Sequence, residues 1–413
     1  MSAPLTHDDV GPELQPTTFT TPGKIRAIAL GLLVLGAAIF AWGLTSEPWR
    51  AWSDGLIASY YFLSLSLGGA VVVALMYVTN AGYGIVLRRV PEALMSYLPV
   101  GMLTMLGVTG LGMKSLYEWS HPDIVAEDRL LQHKSALLNP TGFLVRLVFI
   151  IGMWSLLTFL LRKRSVAQDS DGDVRHTERN VVTSVLFLIF MGVSLTFGVL
   201  DWLMSLEPHW FSTMFGVYQF AGAHVAGCAT VTLITISLRK AGLLPHVNEN
   251  HLHDLGKMMF AYATFWAYIW VGQFLLIWYA NIPEETGYYL VRQDSGWLAL
   301  WAGNLFINWV IPFFTLLPRP NKRNPKVLVP VAILILCGHW LDVYLQVMPA
   351  TSHFAAEHLH IVTGKGPFFG PLELGATAAV AGLFLLTLTM VLGKASLLPS
   401  RDPYLDESLH HQQ

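Results

Sequence analysis

The chain has 413 residues, of which 54% are apolar and only 13% are charged, and its net charge is −2. A soluble domain carries about 25% charged residues, so this composition excludes an ordinary soluble enzyme. No polybasic segment suited to nucleic acid occurs. The two cysteines, Cys228 and Cys337, lie in apolar runs and form no CxxC or CxxCH motif. Iron–sulfur ligation and covalent haem c attachment therefore have no support in the sequence.

The two ends of the chain are polar and the middle is apolar. Residues 1–23 are rich in Pro and Thr and lack a basic start followed by an apolar core, so they predict a cytoplasmic N-terminal arm rather than a signal peptide. Residues 24–394 predict a ten-helix membrane domain, and residues 395–413 predict a cytoplasmic C-terminal tail. The expected fold class is an all-α, polytopic integral membrane protein.

Ten apolar segments are each long enough to cross about 30 Å of hydrocarbon as a helix. In chain order they cover residues 25–44, 56–77, 93–113, 142–161, 181–203, 214–238, 258–279, 297–317, 327–347 and 372–392. The basic residues then indicate the direction of the spans, because Lys and Arg collect in cytoplasmic loops.

Basic residues alternate strongly between the two sets of loops. The N-terminus and every second loop hold seventeen: Lys24, Arg26, Arg88, Arg89, Arg162, Lys163, Arg164, Arg175, Arg179, Arg239, Lys240, Arg319, Lys322, Arg323, Lys326, Lys394 and Arg401. The opposite loops hold six: Arg50, Lys114, Arg129, Lys134, Arg292 and Lys365. Both termini are therefore predicted to be cytoplasmic. Arg146 and Lys257 lie just inside spans and are expected to extend to the membrane interface.

The fifth and ninth spans end in a similar way. Leu200-Asp201 and Leu341-Asp342 are each followed by six residues and then a proline. The two spans run in the same direction and are four spans apart, so residues 55–208 and 214–349 could be parallel repeats, flanked by the first and tenth spans. Chance is the alternative explanation for so short a similarity.

Four ionisable residues within spans are the candidate catalytic residues, since such groups are costly in a membrane. They are Asp201, His224, His339 and Asp342. Three interpretations are open: hydrogen bonds that lock the helices, a quinol or proton site, and a b-type haem held between the two histidines. The loop histidines His353, His358 and His360 have no spacing that fixes a closed site, so no metal site is expected.

Several long strings add a family resemblance to this pattern. They are DWLMSLEPHWFSTMFGVY at 201–218, DLGK at 254–257, FWAYIW at 265–270 and IWYANIPEET at 277–286. In these strings the chain resembles the ActF membrane protein of bacterial alternative complex III, a quinol:cytochrome c oxidoreductase. That family is similar to the polysulfide reductase membrane-subunit (NrfD-like) superfamily. The resemblance implies two four-helix bundles with two flanking helices.

The resemblance also implies a function. It suggests a multi-pass subunit in the bacterial cell (inner) membrane that supports electron transfer from quinol to cytochrome c or a terminal oxidase. Quinol binding, with menaquinol or ubiquinol, or proton conduction would involve the buried Asp and His residues. Iron–sulfur clusters and haem c are expected on partners: an iron–sulfur subunit, multihaem and monohaem cytochrome c subunits and a second NrfD-like membrane subunit. The alternative is an architectural anchor for those subunits, and a transporter is a third hypothesis.

Overall fold

The computed structural model describes residues 17–293, 296–361, 363 and 366–412, and this part of the chain contains no β-strand. Its α-helices are α1 (Gly23–Ser46), α2 (Pro48–Val78), α3 (Arg89–Met95), α4 (Leu98–Leu111), α5 (Met113–Leu116), α6 (Pro122–Glu127), α7 (Arg129–Lys134), α8 (Pro140–Asp171), α9 (Arg175–Trp202), α10 (Phe215–Lys240), α11 (Glu249–Ala280), α12 (Pro283–Gln293), α13 (Trp297–Leu305), α14 (Ile311–Leu316), α15 (Pro325–Glu357), α16 (Pro371–Leu392) and α17 (Leu405–Leu409).

Ten helical segments of the described chain are long and apolar enough to cross a membrane. They are α1, α2, α3 with α4, α8, α9, α10, α11, α13 with α14, α15 and α16, so each predicted span has its helix. Several helices extend beyond the apolar segments because capping, and not hydropathy, ends them. Gly172 ends α8 with a left-handed φ of 70°, and the Asn248 side chain caps α11. The all-α polytopic prediction is confirmed.

Two of the spans are not continuous α-helices. The third breaks between α3 and α4, where Pro99 has no amide to offer the carbonyl of Met95. The eighth contains a π-helical segment, Phe306–Val310, between α13 and α14. Pro312 follows this segment and lacks the amide that an α-helix would use at the Asn308 carbonyl.

The spans form two four-helix bundles, as the resemblance implies. In the first bundle α2, α3–α4, α8 and α9 pack in a ring, and α9 closes back on α2. In the second bundle α10, α11, α13–α14 and α15 pack in the same ring order, and α15 closes on α10. Helices α1 and α16 pack together and against α2. The shared ring order is compatible with parallel repeats, which stay a prediction at the level of sequence.

Helices α2 and α10 join the two bundles at the centre of the molecule. Their most apolar windows are 89% and 83% buried, the two highest fractions among the ten spans. The helices cross at Gly68 and Gly227, where a Cβ on Gly68 would lie 2.2 Å from the Ala223 carbonyl oxygen. Only glycine lets the two backbones approach this closely.

The two ends of the helical domain differ. The long-loop face carries α5 to α7, α12 and the last turn of α15, whereas the short-loop face carries α17 and residues 79–88. On the short-loop face the Ser408 hydroxyl of α17 donates to the Tyr83 carbonyl at 2.7 Å. The described part of the predicted C-terminal tail is thus folded against the domain. The charge bias predicts that the short-loop face is cytoplasmic.

Candidate functional site

A narrow cleft of about 20 Å³ lies in the second bundle, toward the long-loop face. Five helices, α10, α11, α12, α13 and α15, contribute to its wall. The residues that matter most for its chemistry are Tyr218, Arg292, Trp301, Asn304, Asp342 and Gln346. A space of this size holds about one water molecule, whereas ligand pockets usually measure about 300–1,000 Å³. The cleft combines aromatic walls with a few polar groups, and it would have to widen to accept a ligand.

Asp342 is the buried carboxylate of the cleft, with 3% of its surface exposed. Tyr218 donates its hydroxyl hydrogen bond to Oδ1, and the Asn304 amide donates to the same oxygen at 2.7 Å. The Trp266 indole donates to Oδ2 at 3.3 Å, and the Gln346 amide donates to Oδ2 at 3.4 Å. A carboxylate has about four acceptor positions, so all of them are used by neutral donors.

The donors continue from Gln346 toward the first bundle. Tyr60 of α2 donates to the Gln219 side-chain oxygen at 3.0 Å, and the Gln219 amide donates to the Gln346 side-chain oxygen. Each donor in the chain from Tyr60 through Gln219 and Gln346 therefore points toward Asp342. Such directed chains polarise one another and stabilise negative charge at their end.

The π-helical segment of the eighth span positions two asparagines beside this carboxylate. The Asn308 amide donates to the Asn304 side-chain oxygen at 2.7 Å, and this leaves the Asn304 amide directed at Asp342. Asn308 lies against α15, where a Cβ on Gly338 would be 2.5 Å from its oxygen. Single π turns inside α-helices are frequent at functional sites, because they change which side chains share a face.

Arg292 of α12 lies at the long-loop end of the cleft and is 1% exposed. Its Nε donates to the Leu345 carbonyl at 2.9 Å and one terminal nitrogen donates to the Gln346 carbonyl at 3.0 Å. The Leu345 carbonyl lacks its usual helical donor because Pro349, four residues later, has no N–H. The proline that the sequence shares with the fifth span thus creates a binding point for Arg292.

The charge of Arg292 is balanced by Glu207, at 2.8 Å, from the connection between the two bundles. Burial opposes the charged form, but Glu207 outweighs it, and the pKa of Arg292 is raised above its ordinary value. The guanidinium also lies 3.4 Å from the ring centroid of Tyr288, which stacks on Trp210 at 4.0 Å. Arg292 is therefore a fixed cation at the mouth of the cleft.

Asp201, the counterpart of Asp342 in the first bundle, has a different environment. Arg146 of α8 binds it through two hydrogen bonds, from Nε at 2.6 Å and from a terminal nitrogen at 3.0 Å. The same terminal nitrogen also donates to the Leu137 carbonyl at 2.7 Å, in the loop before α8, so the expected interfacial position of Arg146 stays a prediction. No hydrogen bond or ion pair in the described chain joins Asp201 to His224, His339 or Asp342.

The two candidate histidines, His224 and His339, face different neighbours and neither lines the cleft. His339 shares a 2.8 Å hydrogen bond with Ser64 of α2 and lies against Gly222 of α10. His224 lies two residues after Gly222, which turns it by about 200° around α10. Its ring packs edge-on against Tyr262 at 4.0 Å. This geometry does not favour a haem held between the two rings.

Sequence reasoning missed Asp54, a further buried carboxyl in α2. Asp54 is 2% exposed, and neither of its oxygens has a hydrogen-bond partner in the described chain. It lies one turn after Arg50, which forms a double hydrogen bond with Glu373 of α16 at 2.7 and 3.0 Å. The apolar segment predicted for the second span begins at residue 56 and so leaves Asp54 out. Pro48 is a residue that suits the first turn of a helix, and a helix predicted to start there would have included Asp54.

A buried ionic network occupies the short-loop face. Arg88 pairs with Asp402 at 2.7 Å and with Glu92 at 3.3 Å, while Arg89 pairs with Glu92 at 2.6 Å and with Asp169. Arg88 and Arg89 count among the basic residues of the predicted cytoplasmic loops. Both are nevertheless buried, with 2% of their surface exposed. Their partners come from α3, α8 and the C-terminal segment, so this network ties the chain end to the domain.

No protein-family model and no curated protein matches this chain. Its function must therefore be argued from the cleft and from the buried polar residues around it.

Proposed function

We propose that the chain is a membrane subunit of a quinol-oxidising respiratory complex of the alternative complex III type. The cleft around Asp342 would bind the quinol headgroup. The observation that carries the proposal is a buried carboxylate in an aromatic-lined cleft near the long-loop face of the helical domain. The two-bundle architecture and the strings at 201–218 and 277–286 support the same family.

Once widened to admit a ring, the cleft would offer the groups that a quinol headgroup needs. Trp270 and Trp301, whose ring centroids are 4.6 Å apart, provide an aromatic wall for the ring. The side-chain amide of Gln273 also lines the cleft and would be available to a ring oxygen. Quinol is the substrate, and its electrons would pass to iron–sulfur clusters and c-type haems on partner subunits.

Oxidation of a quinol also releases two hydroxyl protons, and Tyr218 and Asp342 are arranged to take one. Tyr218 lines the cleft and donates to Asp342. A quinol hydroxyl bound to the Tyr218 oxygen would pass its proton to Tyr218 as the tyrosine proton moves to Asp342. By the predicted orientation the cleft opens on the non-cytoplasmic side, where protons released from quinol would leave.

One observation favours a second candidate, the architectural anchor. Asp342 already accepts four hydrogen bonds, so it could serve only to fix α10, α11, α13 and α15 in place. In that role its replacement would disturb assembly and leave the turnover of assembled complex unchanged.

The test compares Asp342→Asn with Asp201→Asn in the whole complex. Quinol-dependent cytochrome c reduction is measured per assembled complex, and a native gel measures assembly. We expect Asp342→Asn to lower turnover by about 100-fold or more, the usual size of a lost general base. Asp201→Asn is the matched control, because its carboxylate binds Arg146 and does not reach the cleft; its turnover should stay at the wild-type level.

A second substitution covers the case in which Asp342→Asn does not assemble. Trp301→Ala removes part of the aromatic wall without touching a hydrogen bond to Asp342, and it should raise the KM for quinol. In that case a wild-type KM in Trp301→Ala would by itself reject the quinol site and leave the anchor; where Asp342→Asn does assemble, wild-type turnover in it would do the same.

A further inference from the structure

Three potential metal ligands converge on the long-loop face, away from the cleft. Glu118, Asp128 and His209 each offer one ligand atom, and these atoms all lie within 4.8 Å of one another. They come from separate segments: Glu118 follows α5, Asp128 precedes α7, and His209 lies in the connection between the two bundles. The fold, and not local sequence spacing, brings them together.

Asp128 is oriented by the backbone. Its Oδ1 caps α7 by accepting hydrogen bonds from the amides of Leu130 and Leu131 at 2.7 and 3.2 Å. Its Oδ2 points the other way and lies 2.6 Å from His209 Nε2. Outer hydrogen bonds that fix the direction of a ligand in this manner are typical of metal sites.

Glu118 is a mostly buried carboxylate without a close basic partner, and a bound cation would stabilise its charge. Its side chain is only 12% exposed, and its carboxylate accepts no hydrogen bond from the described residues. Burial raises its pKa, and Asp128 adds to this effect while His209 and His358 oppose it. The nearest basic atom is His358 Nε2, at 3.6 Å, from the end of α15.

The segments that carry the cluster are held firmly. Trp119, next to Glu118, donates its indole hydrogen bond to Ser205 at 3.1 Å. Lys134 donates to the carbonyl of Pro208, the residue before His209, at 2.5 Å. The cluster therefore rests on fixed backbone even though His209 itself is 55% exposed and open to solvent.

We propose that Glu118, Asp128, His209 and His358 form a site for a divalent transition metal of the zinc type. Two imidazoles and two carboxylates are a ligand set that Zn²⁺ accepts in tetrahedral geometry. Neighbouring ligand atoms around zinc lie roughly 3.4 Å apart. Asp128 and His209, whose ligand atoms are 2.6 Å apart, would therefore separate, and His358, which lies outside the group of three, would move in to complete the shell. The metal would bind the loop between the third and fourth spans to the end of the ninth, and so fasten the first bundle to the second.

The test uses the full chain in lipid nanodiscs, stripped with a chelator and titrated with zinc chloride in a calorimeter. We expect one zinc ion per chain. His209→Ala and Glu118→Gln should each weaken binding by more than about tenfold, since losing even an outer-shell partner costs about 10–100-fold. The matched control is His353→Ala, which removes a histidine that pairs with Glu357 on the same face at 3.2 Å and should leave zinc binding unchanged.

X-ray absorption at the zinc edge gives a readout that needs no variant. The wild-type spectrum should show two imidazoles in a shell of nitrogen and oxygen. Absence of zinc binding, a shell without imidazole, or equal weakening by His353→Ala and His209→Ala would each overturn the site. The result is independent of quinol, so it does not depend on the proposed function.

Discussion

Asp201 and Asp342 occupy equivalent places in two bundles with the same ring order, yet their charges are stabilised in different ways. In the first bundle one cation, Arg146, binds Asp201 through two hydrogen bonds. In the second bundle four neutral donors surround Asp342, and a cleft opens beside it. In an ion pair the cation occupies acceptor positions of the carboxylate and neutralises its charge. A carboxylate held by neutral donors keeps a net negative charge, which a ligand or a proton can still neutralise.

The largest expected effect tests the first of these arrangements. Arg146→Ala leaves Asp201 as an unpaired buried charge, and it should lower the free energy of unfolding by about 3 kcal/mol. This is the lower end of the range for broken buried pairs, because the Arg146 side chain is 25% exposed. The measurement is the unfolding midpoint of the chain in detergent micelles, followed by circular dichroism.

The double variant Arg146→Ala with Asp201→Ala is the control for that measurement, because it removes both charges and should recover most of the loss. If Arg146→Ala alone unfolds within about 0.5 kcal/mol of the wild type, Asp201 does not depend on its cation and the contrast between the bundles fails.

An intermediate effect tests the neutral donors around Asp342. Tyr218→Phe removes one hydrogen bond to a charged acceptor and should cost about 1.5 kcal/mol of unfolding free energy. Tyr60→Phe removes a bond from the same chain of donors, but to a neutral amide, and should cost about 0.6 kcal/mol. Equal losses in the two variants would mean that Asp342 carries no charge for Tyr218 to stabilise.

The smallest expected effect concerns the proline shared by the two span ends. Pro349→Ala restores an amide that can donate to the Leu345 carbonyl. This carbonyl then no longer depends on Arg292 for a hydrogen bond. The single change should alter the unfolding free energy by less than about 1 kcal/mol. In a double-mutant cycle Arg292→Gln should cost at least about 0.5 kcal/mol less in the Pro349→Ala background.

Pro330→Ala provides the comparison for this cycle, because Pro330 also lies within α15 but near its other end. Coupling of Arg292→Gln to Pro330→Ala as strong as its coupling to Pro349→Ala would show a general effect of helix prolines and no specific role for the Leu345 carbonyl.

The ten spans could be predicted because hydropathy acts along the chain, one segment at a time. The partners of the polar residues could not, because they depend on how helices rotate against one another. His339 and Asp342 share a span, but only Asp342 faces the cleft, whereas His339 turns to Ser64. The four candidate residues of the sequence therefore separate into four environments.

Helix α12, at the long-loop end of the cleft, was not predicted either, although the sequence contains a pattern that favours it. Pro283 suits a first helical turn, and Tyr288 and Arg292 are four residues apart, which places them on one face of a helix. Hydropathy alone treats this segment as a polar loop. The role of this segment depends on a tertiary contact, because Arg292 supplies the hydrogen bond that the Leu345 carbonyl lacks within α15.

The π-helical turn at Phe306–Val310 has a consequence for how the eighth span tolerates change in length. A π turn holds one residue more than the α-helical turn it replaces. Deleting a single residue there would restore a regular helix and leave its two halves nearly in register, because five π-helical residues turn the chain about as far as four α-helical residues. The offset between Asn304 and Asn308 would still shorten from four residues to three if the deleted residue lay between them, so the Asn308 amide could no longer hold the Asn304 amide toward Asp342. The carboxylate environment of the second bundle is thus encoded partly in the count of residues along one helix.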